Sequence, residues 1–252
     1  MSFHVIIPAR YGSSRFPGKP LIQLGQKTMV HHVTDRGQES GALSVTVATD
    51  DVRIEQQVRD FGGAVVMTSG HHESGTDRLQ QAAELLQLEP EDIVVNVQGD
   101  EPLIAPSVIQ QVAKNLAGHP ECSVATLCEP LSTWEDVQNP NFVKVVRDRE
   151  GRGLYFSRSP VPFHRDVDPS TSRPANSFRH LGIYAYRVSA LNEFITWPLG
   201  QLEGLEKLEQ LRFLENGHRI HVDVALEGGA PGVDTPDDVA KVEHLLAKKG
   251  LL

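Results

Sequence analysis

HVIIPARYGSSRFPGKP, residues 4–20, opens on a short apolar run and passes straight into a loop with two glycines, two serines and the cations Arg10, Arg15 and Lys19. A strand that delivers such a loop places it at the carboxyl edge of an open α/β sheet, where these folds bind their ligands. Polyphosphates are held by backbone N–H groups and cations in loops of this kind. The loop is not a Walker A motif: five residues separate Gly12 from Gly18 where that motif has four, and Pro20 replaces the metal-binding Ser/Thr. It lacks GxGxxG spacing as well, so the ATP-hydrolase and dinucleotide readings lose their main support. A solvated basic loop is the alternative.

Outward from this stretch the pattern repeats. Strand-like SVTVAT (44–49), AVVM (64–67), DIVVNV (92–97) and SVATL (123–127) alternate with amphipathic segments at 28–36, 51–61, 76–86 and 105–116. That alternation predicts βαβ units and a parallel sheet covered on both faces. Asp50 is expected to cap the helix beginning near Asp51, and Pro106 to occupy the first turn of a later one. From about residue 130 to 225 the texture changes. VKVVRD, GLYFSR, FRHLGIYAYR and HRIHVDVAL read as strands around the polar surface loop HRDVDPSTSRPANS (164–177). ALNEFITW reads as helical, and so does LEGLEKLEQLRFLENG, with leucines at 202, 205, 208 and 211. GVDTPDDVAKVEHLLAKK predicts a turn and a helix with Thr235 as N-cap, Pro236 behind it and Asp238 closing the cap. The expected plan is a nucleotide-binding α/β core from 1–129 and 226–252, with 130–225 as a smaller mixed β region of one two-lobed unit.

Composition bounds the function. Across 252 residues, 24 Lys+Arg against 33 Asp+Glu give a net charge of −9. An acidic chain argues against a nucleic-acid partner, because duplex binding relies on cations neutralising phosphates. No apolar run approaches the ~20 residues of a membrane span, and MSFHVIIPAR lacks the basic n-region of a signal peptide. Cys122 and Cys128, six strand residues apart, would be separated by roughly 20 Å, too far for a disulfide. They read as core thiols of a reducing compartment, so a cytoplasmic location is expected.

Three further stretches carry chemistry. VNVQGDEP (95–102) sets Gln98, Asp100 and Glu101 at the carboxyl end of a strand, where one or two carboxylates with substrate phosphate oxygens suit Mg²⁺. GVDTPDD (232–238) offers Asp234 as a second carboxylate if the chain returns to the strand ends. SGTDR (74–78) is a helix entrance whose amides suit a base edge or a phosphate. Turn formation and capping are the bland alternatives at all three. The histidines form no ligand cluster by spacing, and no GxSxG elbow supports a Ser-His-Asp nucleophile.

Taken in order, IPARYGSSRFPGKPL, ATDD, SGTDRL, VNVQGDEPLI, NPNFVKVV, LYFSRSPVPFHRD, FRHLGIYAYR, LEKLEQLR and GVDTPDDV resemble the 3-deoxy-manno-octulosonate (Kdo) cytidylyltransferase family along nearly the whole chain. The resemblance implies a Rossmann-like, GT-A-type nucleotidyltransferase fold with a mainly parallel central sheet. It also implies a Mg²⁺-dependent reaction of CTP with Kdo that releases pyrophosphate for lipopolysaccharide synthesis, and a homodimer. Carried over position by position, Ala9, Arg10, Ser13 and Lys19 would hold CTP, with Ser74, Arg78 and Gln98 reading the cytidine. Asp100 and Asp234 would bind the metal, and with Arg10 and Lys19 make up the catalytic set. Arg158, His180, Tyr184, Glu209 and Gln210 would hold the sugar acid. GQKT (25–28), DVDPSTSRPANS (166–177) and EGGAP (227–231) depart from the family's usual pattern, which keeps the 8-amino analogue of Kdo open as acceptor. A cytidylyltransferase for another acidic sugar such as a sialic acid, and a non-catalytic nucleotide- or sugar-binding regulator, are the competing readings.

Overall fold

The computed structural model describes every residue except 13–15, 73 and 234. Eleven strands are formed among the described residues: β1 (His4–Ala9), β2 (Gln23–Leu24), β3 (Lys27–Thr28), β4 (Ser44–Thr49), β5 (Ala64–Met67), β6 (Ile93–Asn96), β7 (Val124–Pro130), β8 (Lys144–Arg147), β9 (Gly153–Ser157), β10 (Phe178–Arg187) and β11 (Ile220–Val224). The helices are α1 (Met29–Glu39), α2 (Val52–Asp60), α3 (Gly75–Leu85), α4 (Pro106–Gly118), α5 (Trp134–Gln138), α6 (Val188–Phe194), α7 (Gln201–Glu206), α8 (Gln210–Glu215) and α9 (Pro236–Lys248).

The central sheet runs β11-β7-β10-β6-β1-β4-β5, and β8 and β9 extend from β10. β6, β1, β4 and β5 are mutually parallel, as are β11 and β7. β1, β4 and β6 are largely buried on both faces, which is why they are rich in Val, Ile and Ala, whereas the edge strand β5 is only partly covered. β10 is antiparallel to both neighbours and lies between β6 and β7. Two of the strands in the 130–225 stretch, β10 and β11, therefore belong to the central sheet. The division at 129 is not a break in it.

Two cores flank the sheet. On one face Val30 and Val33 of α1, Ile54 and Val58 of α2 and Ile109 and Val112 of α4 pack on Val5, Ile7 and Val95. On the other, Leu79 and Ala83 of α3, Leu191 and Phe194 of α6 and Leu211 and Phe213 of α8 pack on Ile6, Val94 and Tyr186. α9 docks separately, its Val242 and Leu246 meeting Leu24 and Met29. Its N-terminus is the expected one: Thr235 and Asp238 form a capping box with Pro236 in the first turn, and Pro106 likewise starts α4.

Two expectations are corrected. Asp51, not Asp50, caps α2 by accepting from Arg53 N at 2.9 Å; Asp50 instead pairs with Arg78 at 2.8 Å. The leucine-spaced segment 202–214 is not one helix. α7 stops where Lys207 adopts the left-handed region at φ 56°, and α8 begins at Gln210. The break leaves Leu205 81% exposed while Leu208 and Leu211 stay buried.

Candidate functional site

Two neighbouring strand ends and one helix start converge. β1 ends at Ala9 and Arg10, while β6 runs on into Gln98, Gly99 and Asp100; with Gly12, Lys19 and Gly75 these enclose a cleft of about 230 Å³. Gly99 makes the convergence possible, since a Cβ there would stand 2.9 Å from the Pro8 carbonyl oxygen. Across the cleft Lys19 Nζ meets Asp100 Oδ2 at 2.5 Å, with the Asp100 side chain one-third exposed. Arg10 Nη2 donates to the His72 and Ser74 carbonyls at 2.9 and 3.1 Å, tying the end of β1 to the entrance of α3. Ser74 and Asp77 cap that entrance reciprocally. The C-terminal segment also returns here: Val233 N donates to the Asp100 carbonyl at 2.9 Å. Ser13 and Asp234, named from sequence as phosphate and metal ligands, lie outside the described residues.

A second cavity, of about 650 Å³, begins at Ser74 and runs on to Lys207, Glu209 and Arg212. Of the residues expected to hold the sugar acid, Glu209 is among its lining residues, and Arg158, His180, Tyr184 and Gln210 are not. Glu209 lines it and accepts from Thr76 Oγ1 at 2.6 Å. Gln210 is buried and its Nε2 has no partner among the described residues; Asn96 Oδ1, at the end of β6 beside Tyr184, is likewise buried and unpaired. An unpaired buried donor and acceptor each cost stability. Arg158 is held rather than loose. Its N and Nε donate to Glu206 Oε2 and O at 2.9 and 2.8 Å, and its Nη1 to Pro140 O at 3.1 Å.

The aromatic residues form a ladder on the same face. His180 contacts Phe156 and Tyr184, Tyr184 stacks on Tyr186, and Tyr186 reaches Phe213. A bulge at Gly182, φ +70°, separates His180 from Tyr184 in register. His180 Nε2 pairs with Thr126 Oγ1 at 2.8 Å. Burial, assisted by Arg179, lowers the His180 pKa to about 3, so the imidazole is neutral at physiological pH. Burial likewise pushes the Tyr184 hydroxyl well above its usual value. Both act as hydrogen-bonding groups, not as charges.

Arg78 differs from the other nucleotide candidates. It is fully buried, with its guanidinium on Asp50 and on Thr68 Oγ1. Desolvation lowers its pKa while Asp50 opposes that. The side chain anchors α3 to the ends of β4 and β5 beneath the cleft and does not line it. The sequence did not single out Thr76, Asn96 or Glu206. Asn96 carried a signal, as a polar residue closing an otherwise apolar strand; Glu206 carried none.

The chain matches the cytidylyltransferase family over residues 4–220. It belongs to that family. A 3-deoxy-manno-octulosonate cytidylyltransferase of Marinobacter nauticus is 53% identical over 99% of this chain and 99% of its own length. One of Cellvibrio japonicus is 53% identical over 98% of each. The solved structure of a CMP:2-keto-3-deoxy-manno-octonic acid synthetase complexed with CTP superposes with a TM-score of 0.90 at 42% identity, covering 99% of this chain and 100% of that one. A cytidylyltransferase of Leptospira borgpetersenii, at 17% identity and a TM-score of 0.62, shares the fold. The chain is thus a nucleotidyltransferase, built on the mainly parallel α/β sheet that its first strand and loop implied.

Proposed function

We propose that this cytidylyltransferase activates Kdo with CTP, giving CMP-Kdo and pyrophosphate for lipopolysaccharide assembly. The observation that carries the reading is the cleft where Lys19 meets Asp100 beside Arg10, because two cations and a carboxylate at the same strand ends are what a polyphosphate and a divalent metal require. The anomeric C2 hydroxyl attacks the α-phosphorus in line. A new oxygen–phosphorus bond forms, the bond to the β-phosphate oxygen breaks, and the hydroxyl proton is released. Such reactions depend on positioning and on neutralising charge. Lys19 and Arg10 stabilise charge growing on the departing pyrophosphate. Ala9, Ser13, Ser74 and Gln98 seat the nucleotide, with Arg78 supporting that seat from below. Arg158, Glu209 and Gln210, with neutral His180 and Tyr184, orient the sugar acid.

The donor chemistry fits a divalent cation. Asp100 presents a hard oxygen donor at a place that already accepts a cation, the Lys19 ammonium. No group of three or more His, Cys, Asp or Glu side chains gathers among the described residues, so the remaining ligands would be substrate oxygens, the usual arrangement for Mg²⁺. Asp100 and Asp234 would hold it, and the Val233–Asp100 contact supports that pairing. When bound, the ion would neutralise phosphate charge and lower the pKa of the attacking hydroxyl.

A cytoplasmic location is supported by two buried free thiols. The chain is proposed to form a homodimer, which would cover exposed apolar side chains such as Leu154 of β9 and Phe163 of the loop that follows. Pyrophosphate release with CTP, Mg²⁺ and Kdo tests the activity. The 8-amino analogue in a parallel arm separates the two acceptors through their kcat/KM values.

A further inference from the structure

Thr76 of the SGTDR stretch has so far been given no role in the proposed reaction. It sits in the first turn of α3, two residues after Ser74, and is 2% exposed. Its hydroxyl donates to Glu209 Oε2 at 2.6 Å and its backbone N to the same oxygen at 3.4 Å, a contact joining residues 133 positions apart. An ionised carboxylate only accepts, so Thr76 donates and Glu209 accepts. A carboxylate at a helix N-terminus is also favoured by the helix dipole.

The arrangement divides the Glu209 carboxylate. Oε2 is fixed by Thr76, whereas Oε1 bonds to no described residue and belongs to a side chain lining the 650 Å³ cavity. Thr76 also shares the helix entrance with Ser74 and Gly75, which line the second cavity and the nucleotide cleft respectively. The opposite end of the same turn is tied too: Glu206 accepts from Ser157 Oγ at 2.6 Å and from Arg158 N at 2.9 Å. The left-handed Lys207 lies between these two ties.

We propose that Thr76 is a positioning residue that holds Glu209 in the orientation that binds the sugar acid, linking the nucleotide-binding helix entrance to the acceptor site. The proposal rests on the reading of Glu209 as a sugar ligand. It is distinct from plain helix capping, which Ser74 and Asp77 already provide for α3.

The test compares wild type with Thr76→Val, Thr76→Ser and Glu209→Gln in pyrophosphate release at saturating CTP and Mg²⁺, and measures CTP binding separately by calorimetry. Thr76→Val is nearly isosteric and removes only the hydroxyl. The expected result is a sugar KM raised about tenfold to a hundredfold, the range for losing a hydrogen bond to a charged group. CTP affinity should stay within about twofold of wild type, a change too small to reflect a lost contact, and Thr76→Ser should restore the sugar KM. Adding Thr76→Val to Glu209→Gln should raise the sugar KM by less than it does alone, because the two act through one contact. An unchanged sugar KM in Thr76→Val overturns the proposal alone. Parallel loss of CTP affinity and thermal stability, with no rescue by Ser, also overturns it in favour of a structural role. A wild-type chain that releases no pyrophosphate with Kdo overturns the underlying reading, and the proposal with it.

Discussion

Lys19 Nζ and Asp100 Oδ2, 81 residues apart in the chain, lie 2.5 Å from each other across the cleft at the strand ends. The contact joins the basic loop after β1 to the carboxylate after β6, and those strands are adjacent and parallel. An ammonium this close to a carboxylate marks where positive charge is stabilised. Asp100→Asn keeps the size of the side chain but removes its charge. It should lower kcat by at least about a hundredfold, as removal of a single transition-state contact does. Thermal stability should stay close to wild type, since a partly exposed pair contributes little. Near-normal kcat at saturating Mg²⁺ would show that Asp100 does not carry the metal.

Lys144 is completely buried, and its ammonium donates to the Asn139 and Arg158 carbonyls at 2.9 and 2.7 Å. Desolvation lowers its pKa, while Glu206 acts to raise it. Lys144→Met should cost about 2–3 kcal/mol, because two buried carbonyls lose their donor. It should also raise the sugar KM by loosening Arg158. Urea denaturation and steady-state kinetics on the same preparation check both effects.

His180 supplies a pH signature. Its folded pKa of about 3 lies below the ordinary value of 6.5, so the unfolded chain takes up a proton there that the folded chain refuses. The neutral folded form is fully favoured above about pH 6.5, and stability is lost as pH falls from there toward 3. Between pH 7 and 5 this one group should account for about 1–2 kcal/mol. Urea unfolding of His180→Gln at both pH values should show a shallower loss than wild type. An equal loss in both proteins would mean that His180 is not kept neutral.

Burial raises both thiol pKa values, Cys122 and Cys128 each to about 11. The thiolate is the reactive form, so neither cysteine should react with an aromatic disulfide reagent at neutral pH until the protein is denatured. Release of two thiol equivalents from the native protein would contradict their placement.

Much of this was legible in the chain itself. β1, β4 and β6 are short, mostly apolar strands because a parallel sheet buries both of their faces, and the partly covered edge strand β5 is apolar as well, so local composition was enough to find them. The basic loop and Asp100 were found because a ligand at strand ends needs charge there. The insertion of β10 between β6 and β7 left no local trace: pairing over such a separation depends on the whole sheet, not on the strand's own sequence. Leucines at helical spacing from 202 to 211 concealed the Lys207 break, which is fixed by Glu206 bonding to the β9 end on one side and Glu209 to Thr76 on the other. Arg78 read as a nucleotide ligand because its motif opens a helix at the site. Its burial against Asp50 arises from packing of α3 that no spacing rule contains.

The central claim is tested most directly by pyrophosphate release from CTP and Mg²⁺ with Kdo as acceptor, alongside a no-sugar control and an 8-amino-Kdo arm. The predicted result is saturable, sugar-dependent turnover that Asp100→Asn abolishes. A folded protein that binds CTP yet releases no pyrophosphate with either sugar would contradict the assignment, leaving another acidic sugar or a non-catalytic binding role.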